Sequence, residues 1–111
     1  MFRNLAIAIA AMLFSSLLYA EAVWIDVRSA IEHKIDNIEG DARITHSEIV
    51  EEVNTLYPDK NTEIHLYCRS GGRAGRAMLA LQAQGYTNVA NAGGINSARE
   101  QRGLWLTTNT F

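Results

Sequence analysis

Cysteine is nearly absent from this chain of 111 residues, in which Cys68 is the only one. A single cysteine excludes an internal disulfide, and it disfavours disulfide exchange, which commonly uses a Cys-X-X-Cys pair. Proline is equally scarce, since Pro58 alone is present, and no repeat or low-complexity linker divides the chain. The length allows one domain. The solitary thiol is therefore expected to be either an intermolecular link or a chemically reactive group.

An excess of basic residues is also missing, because the formal net charge is -2 at pH 7. This balance argues against general nucleic-acid binding. The three histidines are His33, His46 and His65. They lack the spacing of metal ligands, so neither a metal site nor another cofactor is expected.

The charges are nevertheless unevenly distributed. Residues 21–63 contain eleven acidic and four basic residues, whereas residues 64–111 contain five arginines and one acid. Three of those arginines lie in or just after the segment that contains the cysteine: Arg69, Arg73 and Arg76. The field near the thiol is thus expected to be positive, which suits a small anionic substrate. The arginines interpreted as ordinary solvated charge are Arg76, Arg99 and Arg102.

The N-terminal segment has the layout of a secretory signal peptide. Arg3 precedes an apolar stretch from Leu5 to Leu18, and Ala20 offers a small residue at the cleavage point. A membrane span needs about twenty apolar residues, so this stretch is short for one. Residues 1–20 are therefore predicted to be a signal peptide and residues 21–111 a periplasmic domain without stable membrane association. An uncleaved membrane anchor is the alternative.

Short apolar runs alternate with helix-like segments along the remaining chain, which predicts an α/β domain with a mostly parallel central sheet flanked by helices. The predicted strands are Val23–Val27, Thr62–Tyr67 and Val89–Ala90. The predicted helices are Ala30–Ile35, a segment following Thr45, Ala74–Gln84 and Ile95–Gln101. In the second helix one face is expected to contain Ile49, Val50, Val53, Leu56 and Tyr57, and in the third the packing residues are Ala77, Met78, Leu81 and Ala83.

Local signals mark several ends of these elements. Ser29 with Glu32 has the spacing of a capping box, and Thr45 with Glu48 repeats it. Gly85 is expected to end the third helix in a left-handed conformation. Three further residues are assigned structural roles: Asp26, in an ion pair with Arg28, and Trp24 and Trp105, in the core or in docking.

Cys68 lies where a reactive thiol would be placed. It ends a predicted strand and opens a glycine-containing loop, after which a helix begins. Main-chain N–H groups of such a loop, together with the first turn of the helix, stabilise an anion and therefore a thiolate. Gly71 and Gly72 are expected to let this loop adopt positive φ angles. A buried structural cysteine is the alternative interpretation.

Two thiolate chemistries fit a chain with one cysteine: cleavage of a phosphate ester and transfer of a sulfane sulfur. They differ in the size of the loop that surrounds the anion. Four residues separate Cys68 from Arg73, so the loop has six residues.

The loop Cys68-Arg69-Ser70-Gly71-Gly72-Arg73 resembles the active-site loop of the rhodaneses, the thiosulfate sulfurtransferases. Cysteine-based protein phosphatases have five residues between cysteine and arginine, and the shorter loop matches a sulfur atom better than a phosphate. Asp26-Val27-Arg28, Gly85-Tyr86 and Gly93-Gly94 are similar to further motifs of the family. The predicted signal peptide and the single-domain length most resemble its small single-domain periplasmic members. One run departs: the usual His-Ile-Pro-Gly-Ala is Asn37-Ile38-Glu39-Gly40-Asp41 here.

This resemblance implies a rhodanese-like domain in which Cys68 is the nucleophile and forms a persulfide. It implies thiosulfate as the donor and cyanide or a cellular thiol as the acceptor, without a cofactor. The persulfide would be held by main-chain N–H groups between Arg69 and Arg73, and the two arginine side chains would orient the sulfonate group. The implied substrate-binding residues are Arg69, Ser70, Gly71, Gly72 and Arg73. A monomer is expected.

Two other functions remain open at this point. One is a cysteine-dependent phosphatase or arsenate reductase, which would use the same thiolate. The other is a non-catalytic module of the same fold, whose loop holds a partner.

Overall fold

The computed structural model describes residues 21–104. The predicted signal peptide and Trp105 lie outside these residues, so both interpretations stay predictions. Within the described part of the chain, no helix is long and apolar enough to span a bilayer.

A four-stranded parallel sheet forms the centre of the domain. Its strands are β1 (Val23–Asp26), β2 (Ala42–Arg43), β3 (Ile64–Cys68) and β4 (Val89–Gly94), in the spatial order β2-β1-β3-β4. The helices are α1 (Ala30–Ile35), α2 (Ile49–Leu56), α3 (Gly72–Ala83) and α4 (Ile95–Gln101). The predicted α/β architecture with a parallel sheet is confirmed.

Helices cover both faces of the sheet. Successive side chains of a strand point to opposite faces, so each strand can contribute to both layers. In β3, Leu66 and Cys68 belong to the core cluster that includes buried residues of α2 and α3. Tyr67 belongs to a second cluster with Ile95 and Ala98 of α4. β3 is thus buried on both sides, and its carboxyl end, where Cys68 lies, is held in place by both layers.

The first capping box is confirmed at the start of α1. The main-chain N–H of Glu32 donates to the hydroxyl of Ser29 at 3.3 Å, and the main-chain N–H of Ser29 donates back to the Glu32 carboxylate at 3.2 Å. The helix has the predicted bounds, Ala30–Ile35, and buries none of its side chains. Local hydrogen bonds therefore define this helix more than core packing does.

The second capping prediction is wrong. The hydroxyl of Thr45 donates to the side chain of Glu48 at 2.8 Å instead of capping a helical N–H, and α2 begins only at Ile49. Ile49 and Val53 are buried as expected, but Leu56, the last residue of the helix, is 54 % exposed.

Strand and helix ends also shifted from the predictions. Thr62 is not in β3, because both its main-chain N–H and its hydroxyl donate to the carbonyl of Asp59 in the preceding turn. β4 is longer than the predicted Val89–Ala90, and β2 was not predicted. Ala83 is exposed at the end of α3. Gly85 has a φ of +96°, which confirms its left-handed conformation.

Within the divergent run Asn37–Asp41, the two residues that match the family pattern, Ile38 and Gly40, each keep a structural role. Ile38 is buried against the α4 side of the sheet. Gly40 adopts a φ of +90°, a conformation that favours glycine. The loop between α1 and β2 is therefore packed through Ile38 and turned at Gly40, the two residues that it shares with the family pattern.

The ion pair predicted for Asp26 is confirmed. Asp26 is fully buried, and the guanidinium of Arg28 donates to both of its carboxylate oxygens, at 2.9 Å and 2.8 Å. Nδ1 of His33 lies 3.0 Å from the same carboxylate. Burial raises the pKa of Asp26, but these hydrogen bonds lower it, and the pKa lies below its ordinary value.

Arg99 and Arg102, interpreted from the sequence as solvated charges, form ion pairs instead. Arg99 is only 8 % exposed and donates to the carboxylate of Asp36, while Arg102 pairs with Asp41 at 2.6 Å and lies over the ring of Trp24. The interpretation fails because their acidic partners lie more than sixty residues earlier in the chain. Arg76 is exposed, as expected.

Candidate active site

Cys68 is the last residue of β3 and is 1 % exposed. The ladder between β3 and β4 is irregular between Leu66 and Cys68, and Cys68 is paired with Gly94. The chain then passes through the loop and enters α3 at Gly72. The predicted order of strand, loop and helix is thus present, with the sulfur at the carboxyl edge of the sheet.

Main-chain N–H groups of the loop and of α3 stabilise a negative charge on the sulfur. The N–H of Gly71 donates to the Sγ of Cys68 at 2.9 Å. Burial raises the pKa of the Cys68 thiol, but hydrogen bonds from four N–H groups lower it, so that the pKa lies below its ordinary value. The four donors belong to Ala74, Ser70, Gly71 and Arg73. Two of them, those of Arg73 and Ala74, are in the first turn of α3, where the helix dipole also favours an anion.

The two loop glycines have different roles. Gly71 has a φ of +104° and is the residue immediately before α3, so its expected positive φ is confirmed. Gly72 is already the first residue of α3 and has no positive φ, so the expectation for it is wrong. One left-handed residue is sufficient to turn the chain from the thiol into the helix.

A residue that the sequence did not single out, Asn91 of β4, fastens the loop. Its side-chain amide donates to the carbonyl of Gly71 at 2.9 Å, and its side-chain oxygen accepts from the N–H of Gly93 at 2.9 Å. No local pattern predicted this contact, because Asn91 and Gly71 are twenty residues apart.

Gly94 allows β4 to approach the loop closely. A Cβ atom at this position would collide with the main-chain carbonyl of Arg69. Gly94 of the Gly93-Gly94 motif therefore has a steric function beside the cysteine loop: the loop fits against β4 here only because a side chain is absent.

The two loop arginines lie in different environments. Arg73 directs its guanidinium to Glu32 of α1, with distances of 2.7 Å and 2.9 Å to the two carboxylate oxygens. Arg69 is exposed and forms no side-chain hydrogen bond or ion pair with residues 21–104. Ser70 is also exposed. Their predicted contacts with a substrate remain predictions.

A cavity of about 480 Å³ lies beside the loop. It is lined by Arg69, by residues of α1 and its surroundings, and by the start of α4: Arg28, Glu32, Ile35, Asp36, Ile95 and Asn96. Glu32 and Asp36 are both paired with arginines. The cavity could therefore accept a small anion next to Arg69, since its carboxylates are already compensated.

The histidines are not gathered at this site. His33 contacts Asp26, whereas His65 contacts Glu63 and stacks on Trp24. Within residues 21–104, no group of three or more histidine, cysteine or acidic side chains could hold a metal ion.

The fold and the loop together define the class of the protein: a single α/β domain that presents one cysteine between the end of a parallel strand and the start of a helix. Residues 12–101 match the family model of the rhodanese-like domain. The chain belongs to this rhodanese-like family.

Similar proteins agree with this assignment. The chain is 37% identical over 95 residues to the thiosulfate sulfurtransferase PspE of Escherichia coli (strain K12), covering 86% of this chain and 90% of PspE. A solved rhodanese with anions from E. coli has a TM-score of 0.66 and 36% identity, covering 69% of this chain and 91% of that one. The human single-domain sulfurtransferase TSTD1 has a TM-score of 0.60 and 25% identity, covering 85% of this chain and 91% of TSTD1.

Proposed function

We propose that this chain moves the sulfane sulfur of thiosulfate to an acceptor by way of a persulfide on Cys68. The class of enzyme is a sulfurtransferase: the chain belongs to the rhodanese-like family, PspE is named a thiosulfate sulfurtransferase, and TSTD1 is named a sulfurtransferase. The donor, the covalent intermediate and the acceptor are the proposal.

In the first half-reaction, the Cys68 thiolate attacks the outer sulfur of thiosulfate. A bond forms between the Cys68 Sγ and that sulfur, while the sulfur–sulfur bond of thiosulfate breaks and its electron pair leaves with sulfite. No proton is transferred. The product is a Cys68 persulfide anion, which the same N–H groups would stabilise.

In the second half-reaction, an acceptor attacks the outer sulfur of the persulfide. Cyanide yields thiocyanate, and a thiolate yields a new persulfide. In both cases the bond to the Cys68 Sγ breaks and its electron pair restores the Cys68 thiolate. The sequence of two displacements predicts ping-pong kinetics.

The observation that best supports this mechanism is the 2.9 Å hydrogen bond from the Gly71 N–H to the Cys68 Sγ, within a loop of six residues. The N–H of Gly71 points at the sulfur itself, so it favours a thiolate. In oxyanion holes, one such donor contributes about 2–4 kcal/mol at the transition state.

Intact-mass spectrometry after treatment with thiosulfate tests the proposal directly. We expect the protein to gain the mass of one sulfur atom and to lose it again when cyanide is added. The control is Cys68→Ser, which should gain nothing and release no thiocyanate. A wild-type protein that gains no sulfur would contradict the proposal.

A parallel assay separates sulfur transfer from the phosphatase alternative. We expect thiocyanate release from thiosulfate and cyanide, and no comparable hydrolysis of an aryl phosphate. Phosphatase turnover without thiocyanate release would assign the loop to phosphoryl chemistry instead. If Cys68→Ser kept full turnover, the thiol would not be the nucleophile.

The cellular setting is part of the proposal. We infer from the N-terminal sequence that the chain is exported to the periplasm, released by cleavage near Ala20, and active there as a monomer. Fractionation of the cells that produce it, with the mass of the mature chain, tests the export. Size-exclusion chromatography with light scattering tests the oligomeric state.

A further inference from the structure

The ion pair between Arg73 and Glu32 connects the end of the cysteine loop to α1, the helix that follows β1. Arg73 is the last residue of the loop and lies in the first turn of α3, while Glu32 lies in the first turn of α1, 41 residues earlier. Both carboxylate oxygens accept from the guanidinium. This fork-to-fork geometry fixes the orientation of both groups as well as their distance.

Both partners of the pair are held by further contacts. Glu32 also accepts from the main-chain N–H and the hydroxyl of Ser29 at 3.2 Å and 2.9 Å, because it is the third residue of the capping box. The main-chain N–H of Arg73 is among the groups that lower the pKa of the Cys68 thiol. The side chains of Arg73 and Glu32 are about one quarter exposed, so water screens the pair only in part.

We propose that the Arg73 side chain is a positioning element: through Glu32 it clamps the end of the cysteine loop to α1 and so holds the main-chain donors on the Cys68 sulfur. The proposal rests on the sulfur-transfer function, since it concerns the same thiolate. Its consequence is that Arg69, whose guanidinium has no partner among the described residues, is the loop cation that meets the anionic donor.

The sign of one substitution distinguishes positioning from simple electrostatics. Glu32→Gln removes a negative charge near the thiol, and glutamine still fits the capping box. Electrostatics alone would then make the thiolate easier to form and lower the pKa of Cys68. Loss of the clamp would displace the N–H donors and raise that pKa.

The experiment measures the pKa of Cys68 from the pH dependence of alkylation by iodoacetamide. For Glu32→Gln we expect a raised pKa and an alkylation rate at pH 7 that falls by about fivefold. A pKa that falls or stays constant would overturn the proposal. The midpoint of chemical unfolding shows whether the variant is folded during the measurement.

Arg73→Lys provides a second test that does not depend on the stability of the first variant. Lysine keeps the positive charge but cannot form the paired contact. The clamp predicts a raised pKa and a slower alkylation, whereas a role in charge alone predicts no change. The matched control is Arg76→Lys, the same substitution at the exposed arginine three residues further along α3, for which no change is expected.

Failure of the clamp and failure of the proposed function give different results. If wild-type protein takes up sulfur from thiosulfate but neither variant raises the thiol pKa, the function stands and the clamp is refuted. If the variants raise the pKa but wild-type protein takes up no sulfur, the clamp holds a thiolate whose chemistry is not sulfur transfer.

Discussion

The residues that follow β1 and β3 both favour a negative charge at the carboxyl edge of the sheet, but they stabilise it differently. After β1, the buried carboxylate of Asp26 is compensated by side chains, with Arg28 at 2.8–2.9 Å and His33 at 3.0 Å. After β3, the sulfur of Cys68 accepts from the main-chain N–H of Gly71 at 2.9 Å, and further main-chain N–H groups help to lower the pKa of the thiol.

We interpret this difference as one between a structural anion and the anion that is proposed to react. Arg28 neutralises Asp26 and occupies both of its oxygens, so the carboxylate is fixed. Main-chain donors stabilise the thiolate without forming an ion pair, so its sulfur can still attack a substrate. The ion pair between Arg73 and Glu32 joins the two regions.

The largest expected effect, on the free energy of unfolding, comes from breaking the ion pair between Asp26 and Arg28. Asp26→Asn would leave the buried guanidinium of Arg28 without its carboxylate, and removing one partner of a buried pair costs about 3–5 kcal/mol of stability. Chemical unfolding should therefore shift strongly to lower denaturant concentration. An unchanged unfolding curve would show that the pair is not the structural element described above.

A steric change breaks the loop after β3. Gly94→Ala would push the new methyl group against the carbonyl of Arg69 and displace the loop from β4. Misplacement of a reacting group by about 1 Å can lower a rate about a hundredfold. We expect such a loss in thiocyanate release. Full activity of Gly94→Ala would contradict the role assigned to β4.

Removing the charge of Arg69 tests whether the loop after β3 binds an anionic substrate. Arg69→Gln removes the exposed guanidinium beside the loop and should raise the KM for thiosulfate by about tenfold, the effect of one charge-assisted hydrogen bond. Initial rates at several thiosulfate concentrations test this. Arg76→Gln should leave the KM unchanged, and an equal effect of both substitutions would indicate a general field rather than a contact.

The smallest effect is expected from removing the side-chain hydrogen bonds of Asn91. Asn91→Ala removes its hydrogen bonds with Gly71 and Gly93, and each is worth about 1 kcal/mol at most in this exposed setting. We expect a several-fold fall in the rate of thiocyanate release and little change in unfolding. A large loss of stability with normal activity would reverse the assignment.

Local signals in the sequence predicted the parts of the molecule that local interactions define. The bounds of α1 follow from the contacts of Ser29 and Glu32 within one turn, and the end of α3 follows from Gly85. The position of Cys68 between a strand and a helix was equally accessible, because hydrophobic pattern and glycine spacing are properties of neighbouring residues.

Contacts between distant segments could not be predicted in the same way. The partners of Arg73 and Arg99 lie 41 and 63 residues away, so their charges looked solvated or available to a substrate. β2 has two residues and no pattern of its own, and it forms only because β1 offers an edge. Asn91 acquires its role because the parallel ladder brings β4 beside the loop.

The most direct test of the account is the pH titration of Cys68 in wild-type protein, followed by the ultraviolet absorbance of the thiolate. Because the folded structure lowers the pKa of this thiol, the thiolate should persist below the pH at which free cysteine is protonated, and reactivity should fall only as the pH drops through that lower value. The unfolded protein should titrate at the higher, ordinary pH. A folded protein whose thiol titrates at or above the ordinary pKa would contradict the central claim that main-chain donors hold Cys68 as a thiolate.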